Sequence, residues 1–160
     1  MSVDYGAGQQ TTYLDITSPT TDPVLEFVTA PVSEPRATAP GATLPAMTLA
    51  GLAGLAGVTL DPTLGVVTVS ARDCRLAPAA GVTMRIKPGG STLVYNNGNR
   101  PVATATATDA QGVGIFYNVP PVPTVLAITL TFPVSGHPQS AISVFARANE
   151  ESLLDALPTQ

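Results

Sequence analysis

"TATATDAQGVGIFYNVPPVP", residues 104–123, reads as a strand, a tight turn, a second strand and a stop. Thr and Ala alternate up to Thr108, Asp109 and Gly112 bracket the turn, and an apolar and aromatic run ends at Pro120 and Pro121. An aspartate side chain accepts hydrogen bonds from the turn's own N–H groups, and glycine adopts the positive φ that such a turn requires. Asp109, Gly112, Pro120 and Pro121 therefore read as structural turn residues, and nothing in the stretch does obvious chemistry. Period-two alternation broken by Gly and Pro continues on both sides, in "VVTVSARDC" (66–74), "GVTMRIK" (81–87), "STLVY" (91–95), "VATATAT" (102–108), "GVGIFYN" (112–118), "VLAITLTF" (125–132) and "AISVFAR" (141–147). Seven such strands at short spacing predict an all-β Greek-key sandwich. "YNNGNRP" (95–101) is a natural hairpin connection, because Asn and Gly tolerate positive φ.

Ahead of these strands, residues 1–45 form a Pro- and Thr-rich extension to the domain of residues 46–160. Within it "TTYLDIT" (11–17) and "VLEFVTA" (24–30) alternate with period two and flank "SPTTDP", a turn cluster, so they predict a two-strand hairpin packed on the domain. Leu14 and Ile16 share one side, and Leu25 and Phe27 face the core. Proline cannot donate to a ladder, which places such strands at edges or strand starts. "AMTLAGLAGLA" (46–56) puts Leu49, Leu52, Ala53 and Ala56 at helical spacing and predicts one short helix stopped by Gly57.

Composition narrows the classes of function. The 160 residues include 11% charged side chains, against about 25% in average soluble domains, and carry a net charge of −4. Seven Lys and Arg spread along the chain form no basic stripe, so neither nucleic acid nor an anionic membrane is an expected partner. The apolar stretch 44–60 is broken by Gly51, Gly54 and Gly57 and is shorter than the roughly 20 residues of a membrane helix, so no direct membrane insertion is expected. A single Cys and a single His leave no zinc-type ligand set, and no cofactor or metal is expected. Cys74 reads as a small buried residue at the end of strand 66–74. His137 stands in a Gly and Pro turn, so a Cys–His pair is not expected. Glu150 and Glu151 read as a solvated terminal turn.

At residues 104–121 the sequence resembles the carboxypeptidase regulatory-like domains, a transthyretin-like β-sandwich family of bacterial secreted and surface proteins. Thr108, Asp109, Gly112, Phe116, Val119, Pro120 and Pro121 carry the likeness, which extends over residues 65–150. Val122 and Asn149 depart from it, at places where the family commonly has Gly. The resemblance implies an extracellular or cell-surface location, with an export signal removed. It implies no catalytic residue. Related hydrolases use more than one His and a Tyr-Arg-Gly-Ser tail, whereas this chain has one His and ends "LLDALPTQ".

The expected function is that of a non-catalytic structural or interaction module, with a protein partner or self-association through edge strands. Leu14, Ile16, Leu25 and Phe27 mark the segment for strand exchange. A carbohydrate-binding module is the alternative, with Tyr95, Asn96, Asn97 and Tyr117 as its interaction surface, and a hydrolase is the more distant one.

Overall fold

In a strand, apolar residues at every second position give one face to bury, and a face is stable only against another layer. The computed structural model describes residues 12–28, 48–133 and 142–158. Along the chain these form β1 (Thr12–Ser18), β2 (Thr21–Val28), α1 (Thr48–Leu55), β3 (Gly65–Ala71), β4 (Thr83–Lys87), β5 (Thr92–Asn96), β6 (Pro101–Val102), β7 (Val113–Val119), β8 (Leu126–Thr131), β9 (Ile142–Val144) and β10 (Glu151–Ala156). Among the described residues the fold is mostly β with one helix, as expected. One sheet has the order β1-β2-β10-β3-β7-β5-β6, and the other β4-β8-β9.

The two sheets share one core in a sandwich-like arrangement. Leu25, Phe27, Val67, Val69, Phe116 and Leu154 of the larger sheet meet Met84, Leu126, Ile128, Leu130 and Val144 of the smaller one. Alternation in β8 is complete, with Leu126, Ile128 and Leu130 buried and the residues between them half-buried. The Tyr95 hydroxyl of β5 crosses this core and accepts the Met84 N–H of β4 at 2.7 Å. On the other face of the larger sheet, Leu49 and Ala53 of α1 and Ala56 just past its end pack on Val66, Val94, Ile115 and Tyr117. Two interior glycines weaken α1 by about 1 kcal/mol each relative to alanine, so this packing sustains it. The helix stops at Gly57 (φ +70°), where Val58 donates to the Ala53 carbonyl at 2.9 Å and Gly57 to that of Gly54 at 3.0 Å. At its start the Leu49 N–H donates to the Asp22 carboxylate at 3.2 Å. None of the helices among the described residues is long and apolar enough to cross a membrane.

Several expectations need correction. The stretch 102–108 contributes only β6 to a sheet, because the chain then crosses to the smaller sheet. There the buried Thr108 hydroxyl donates to the Ala79 carbonyl at 2.7 Å and accepts the Val82 N–H at 3.0 Å. The Thr108 N–H also donates to the Val82 carbonyl at 3.0 Å. Strand 66–74 ends at Ala71, since the Asp73 carboxylate accepts the N–H groups of Arg75 (2.8 Å) and Ala77 (3.0 Å) and folds the chain back. Cys74 is exposed in that turn, not buried. Glu150 and Glu151 are not a solvated turn. Both are buried, and Glu151 begins β10, an inner strand parallel to β2 and to β3. Nor is proline confined to an edge in the first hairpin. Pro23 lies in the inner strand β2, across from the register shift between Ile16 and Ser18 and just before the β10 ladder starts at Val24.

The turn that opened the reading is built as expected. Asp109 accepts the N–H groups of Gln111 (2.9 Å) and Gly98 (2.7 Å) on its carboxylate, and Gly112 has φ +74°. A Cβ at Gly112 would collide with the Ala71 carbonyl oxygen and stand 3.0 Å from the Ala79 nitrogen. Gly112→Val therefore combines strained φ with a backbone clash, and a loss of about 2–4 kcal/mol is expected in urea unfolding. A variant that unfolds at the parent's midpoint would contradict this turn geometry.

Candidate interaction edge

A strand at the end of a sheet presents unpaired N–H and C=O groups, and proteins guard such edges by shortness, charge, proline or cover. The two sheets end at β1, β6, β4 and β9. Three of these edges are guarded. On β4 the Met84 N–H is taken by Tyr95, Val82 ahead of it is bonded to Thr108, and Arg85 and Lys87 are both exposed and charged. β6 is two residues long and begins with Pro101, which has no N–H. β9 is three residues long, and the chain beyond it is engaged: the Phe145 carbonyl accepts the Ser152 hydroxyl at 3.1 Å and the Ala146 carbonyl accepts the Val122 N–H at 2.9 Å. β1 has seven residues and no proline, its central Asp15 is paired with Arg147, its ladder shifts register between Ile16 and Ser18, and among the described residues no strand pairs with its outer side.

The position of β1 is set by the chain's far end. β2 pairs with β1 on one side and with β10 on the other, with Val24 beside Glu151 and Phe27 beside Leu154. Past β9, Arg147 donates from Nη1 to the Asp15 carboxylate at 2.5 Å and lies 5.8 Å from the centroid of Tyr13. The Tyr13 ring meets Phe145 edge-on at 5.1 Å, and Phe145 meets Phe27 at 5.3 Å. An ion pair this exposed contributes about 0–1 kcal/mol, and each aromatic pair about 0.5–1.5 kcal/mol, so the rings hold the corner and the ion pair orients it.

Under α1 the larger sheet carries an acidic seam. Leu154 and Ala156 face the shared core, so alternation turns Glu151 and Asp155 to the helix side, where Tyr117 also lies. Glu151 accepts the Thr68 hydroxyl at 2.6 Å on one carboxylate oxygen, while the other oxygen is buried without a hydrogen bond, as is the Tyr117 hydroxyl. Burial pushes the Glu151 carboxyl above its ordinary pKa, the Thr68 bond opposes this, and the charge of Asp22 adds to it. Tyr117 is pushed up to about 12, by burial and then by Glu151. Glu26 is raised by burial and then by Asp155. Glu150 is raised by burial, with Arg147 working against it. Among the described residues no three His, Cys, Asp or Glu side chains are grouped to hold a metal ion.

Tyr95 and Tyr117 do not form the exposed pair expected of a glycan platform. Both are buried, Tyr95 in the core between the sheets and Tyr117 beneath α1, with Asn96 half-buried and Asn97 exposed. Leu25 and Phe27 are buried as expected and Ile16 is half-buried, while Leu14 is placed by its register opposite Glu26. Pro120 and Pro121 follow the end of β7. His137 lies outside the described residues. Sequence reading missed Arg147, Tyr13 and Phe145, since Arg147 is 132 residues from Asp15 and no local pattern signals such a contact. No family model, curated protein or solved structure matches the chain.

Two outcomes follow from these placements. Cys74, exposed, should react with a thiol reagent in the native protein at nearly the rate seen after unfolding, and a thiol masked until unfolding would contradict its turn. For Glu151, the native state keeps its proton above the ordinary glutamate value of 4.5, whereas the unfolded chain loses it there. The native state then binds more protons, so stability falls as pH rises from that value through the raised native one. Urea midpoints should therefore drop as pH rises above the ordinary glutamate value of 4.5, and Glu151→Gln should drop less and exceed the parent once the native carboxyl has ionised. A variant with the parent's full pH dependence would assign the effect elsewhere.

Proposed function

We propose that the chain is a non-catalytic structural or interaction module of a bacterial extracellular or cell-envelope protein, working through the edge of β1. In this reading it is a carboxypeptidase regulatory-like, transthyretin-like Greek-key sandwich, with residues 1–45 as an N-terminal extension whose two strands join the larger sheet. The observation that carries the proposal is the contrast among edges: β6 and β9 are short and β4 has its amides occupied, whereas β1 is the longest edge, its one charge, Asp15, is held by Arg147, and among the described residues no strand pairs with its outer side. Backbone groups on such an edge bind an extended segment by adding a strand, with alternate side chains supplying selectivity. The partner is accordingly a protein segment. The glycan alternative loses its platform with the burial of Tyr95 and Tyr117.

Selection of a displayed heptapeptide library on the immobilised chain tests this reading. Selected peptides should slow hydrogen exchange at β1 amides, and Thr17→Lys, an exposed edge lysine, should weaken them by about tenfold or more. Peptides that protect another edge or only loops, or glycan-array binding indifferent to Thr17→Lys, would contradict it.

A further inference from the structure

We infer that β1 pairs antiparallel with β1 of a second copy of this chain, with Asp15 at the two-fold axis, so that two seven-stranded sheets become one continuous sheet. This rests on β1 being the working edge and adds the identity of its partner. The strand is close to self-complementary when read outward from its centre. Asp15 is flanked by Leu14 and Ile16, then by Tyr13 and Thr17, then by Thr12 and Ser18. A two-fold axis through Asp15 sets Leu14 opposite Ile16, Tyr13 opposite Thr17, and Thr12 opposite Ser18. Apolar thus meets apolar, hydroxyl meets hydroxyl, and an aromatic meets a β-branched residue, which are favourable cross-strand pairs.

This register uses all seven residues, whereas moving the axis to Leu14 or Ile16 leaves five paired and sets Asp15 opposite Tyr13 or Thr17. Its one like-charge pair is Asp15 with itself. Each Asp15 already holds Arg147 of its own chain at 2.5 Å, a cation it shares with Glu150 at 3.7 Å, so the junction becomes an Arg–Asp–Asp–Arg row in which each facing carboxylate has its own cation. The same patch serves both copies, as a closed two-fold interface requires, and pairing covers the longest edge strand among the described residues of each.

Sedimentation of the full chain should show a dimer whose dissociation constant rises by about tenfold or more in Thr17→Lys, with unchanged circular dichroism. In a Cys74→Ser background, Asp15→Cys should be joined to a second copy by a short bifunctional thiol reagent, whereas the parent chain, with Cys74 as its thiol, should not. A dimer that ignores Thr17→Lys, or one linked through Cys74 but not through Asp15→Cys, overturns the inference. A chain that stays monomeric at high concentration overturns it too. If that monomer still captures heptapeptides on β1, the edge remains the binding element for a different protein. If it captures none, both readings fall.

Discussion

Insertion of β10 between β2 and β3 is the constraint on which the rest of the structure depends. A two-stranded hairpin is marginal in water, and β1 with β2 is a hairpin that the ladder from Val24 to Phe27 along Glu151 to Leu154 joins to a sheet. That ladder brings Leu25 and Phe27 over the core and leaves β1, not β2, as the edge. It also draws Glu150 and Glu151 out of water. A buried glutamate at the start of an inner strand, with another just before it, is an unfavourable choice unless they are protonated or bonded, and Thr68 and Arg147 meet only part of that need.

The smaller sheet imposes a complementary demand, since it must sit in register over the larger one and keep its own β4 edge closed. One tyrosine and one threonine satisfy both. The Tyr95 hydroxyl and the Thr108 side chain reach out of loop and sheet to occupy amides of Met84 and Val82 that would otherwise face a dry core. Gly114 makes room for this, because a Cβ there would stand 2.7 Å from the Met84 sulfur and 3.2 Å from the Tyr95 ring. Polar side chains thus bond the two sheets together and blunt the β4 edge.

Where a feature depends on local chemistry, the sequence makes it legible. The Asp109 and Gly112 turn, the Gly57 helix stop, the alternation in β8 and the Asn-Gly connection after β5 each rest on a φ preference or a period of two. Features that depend on distant partners were not legible. "ESLLDA" reads as a polar terminus because its charged residues hide the Ser152, Leu154, Ala156 face, and only the slot between β2 and β3 makes that face matter. Tyr95 and Tyr117 look alike in sequence, yet they lie on opposite sides of one sheet. In sequence Cys74 continues an apolar run, but the Asp73 carboxylate turns the chain one residue earlier. The corner of Tyr13, Phe145 and Arg147 joins the two ends of the described chain, and neither end signals it alone.

Native-state hydrogen exchange, resolved by residue on the full chain, tests the β10 insertion most directly. Amides bonded in the β2–β10 and β10–β3 ladders should belong to the same slow set as those of β3 and β7, because all lie within one sheet that opens as a unit. Fast exchange throughout β2 and β10, with β3 and β7 still slow, would mean that the hairpin is not part of the sheet and would contradict the account.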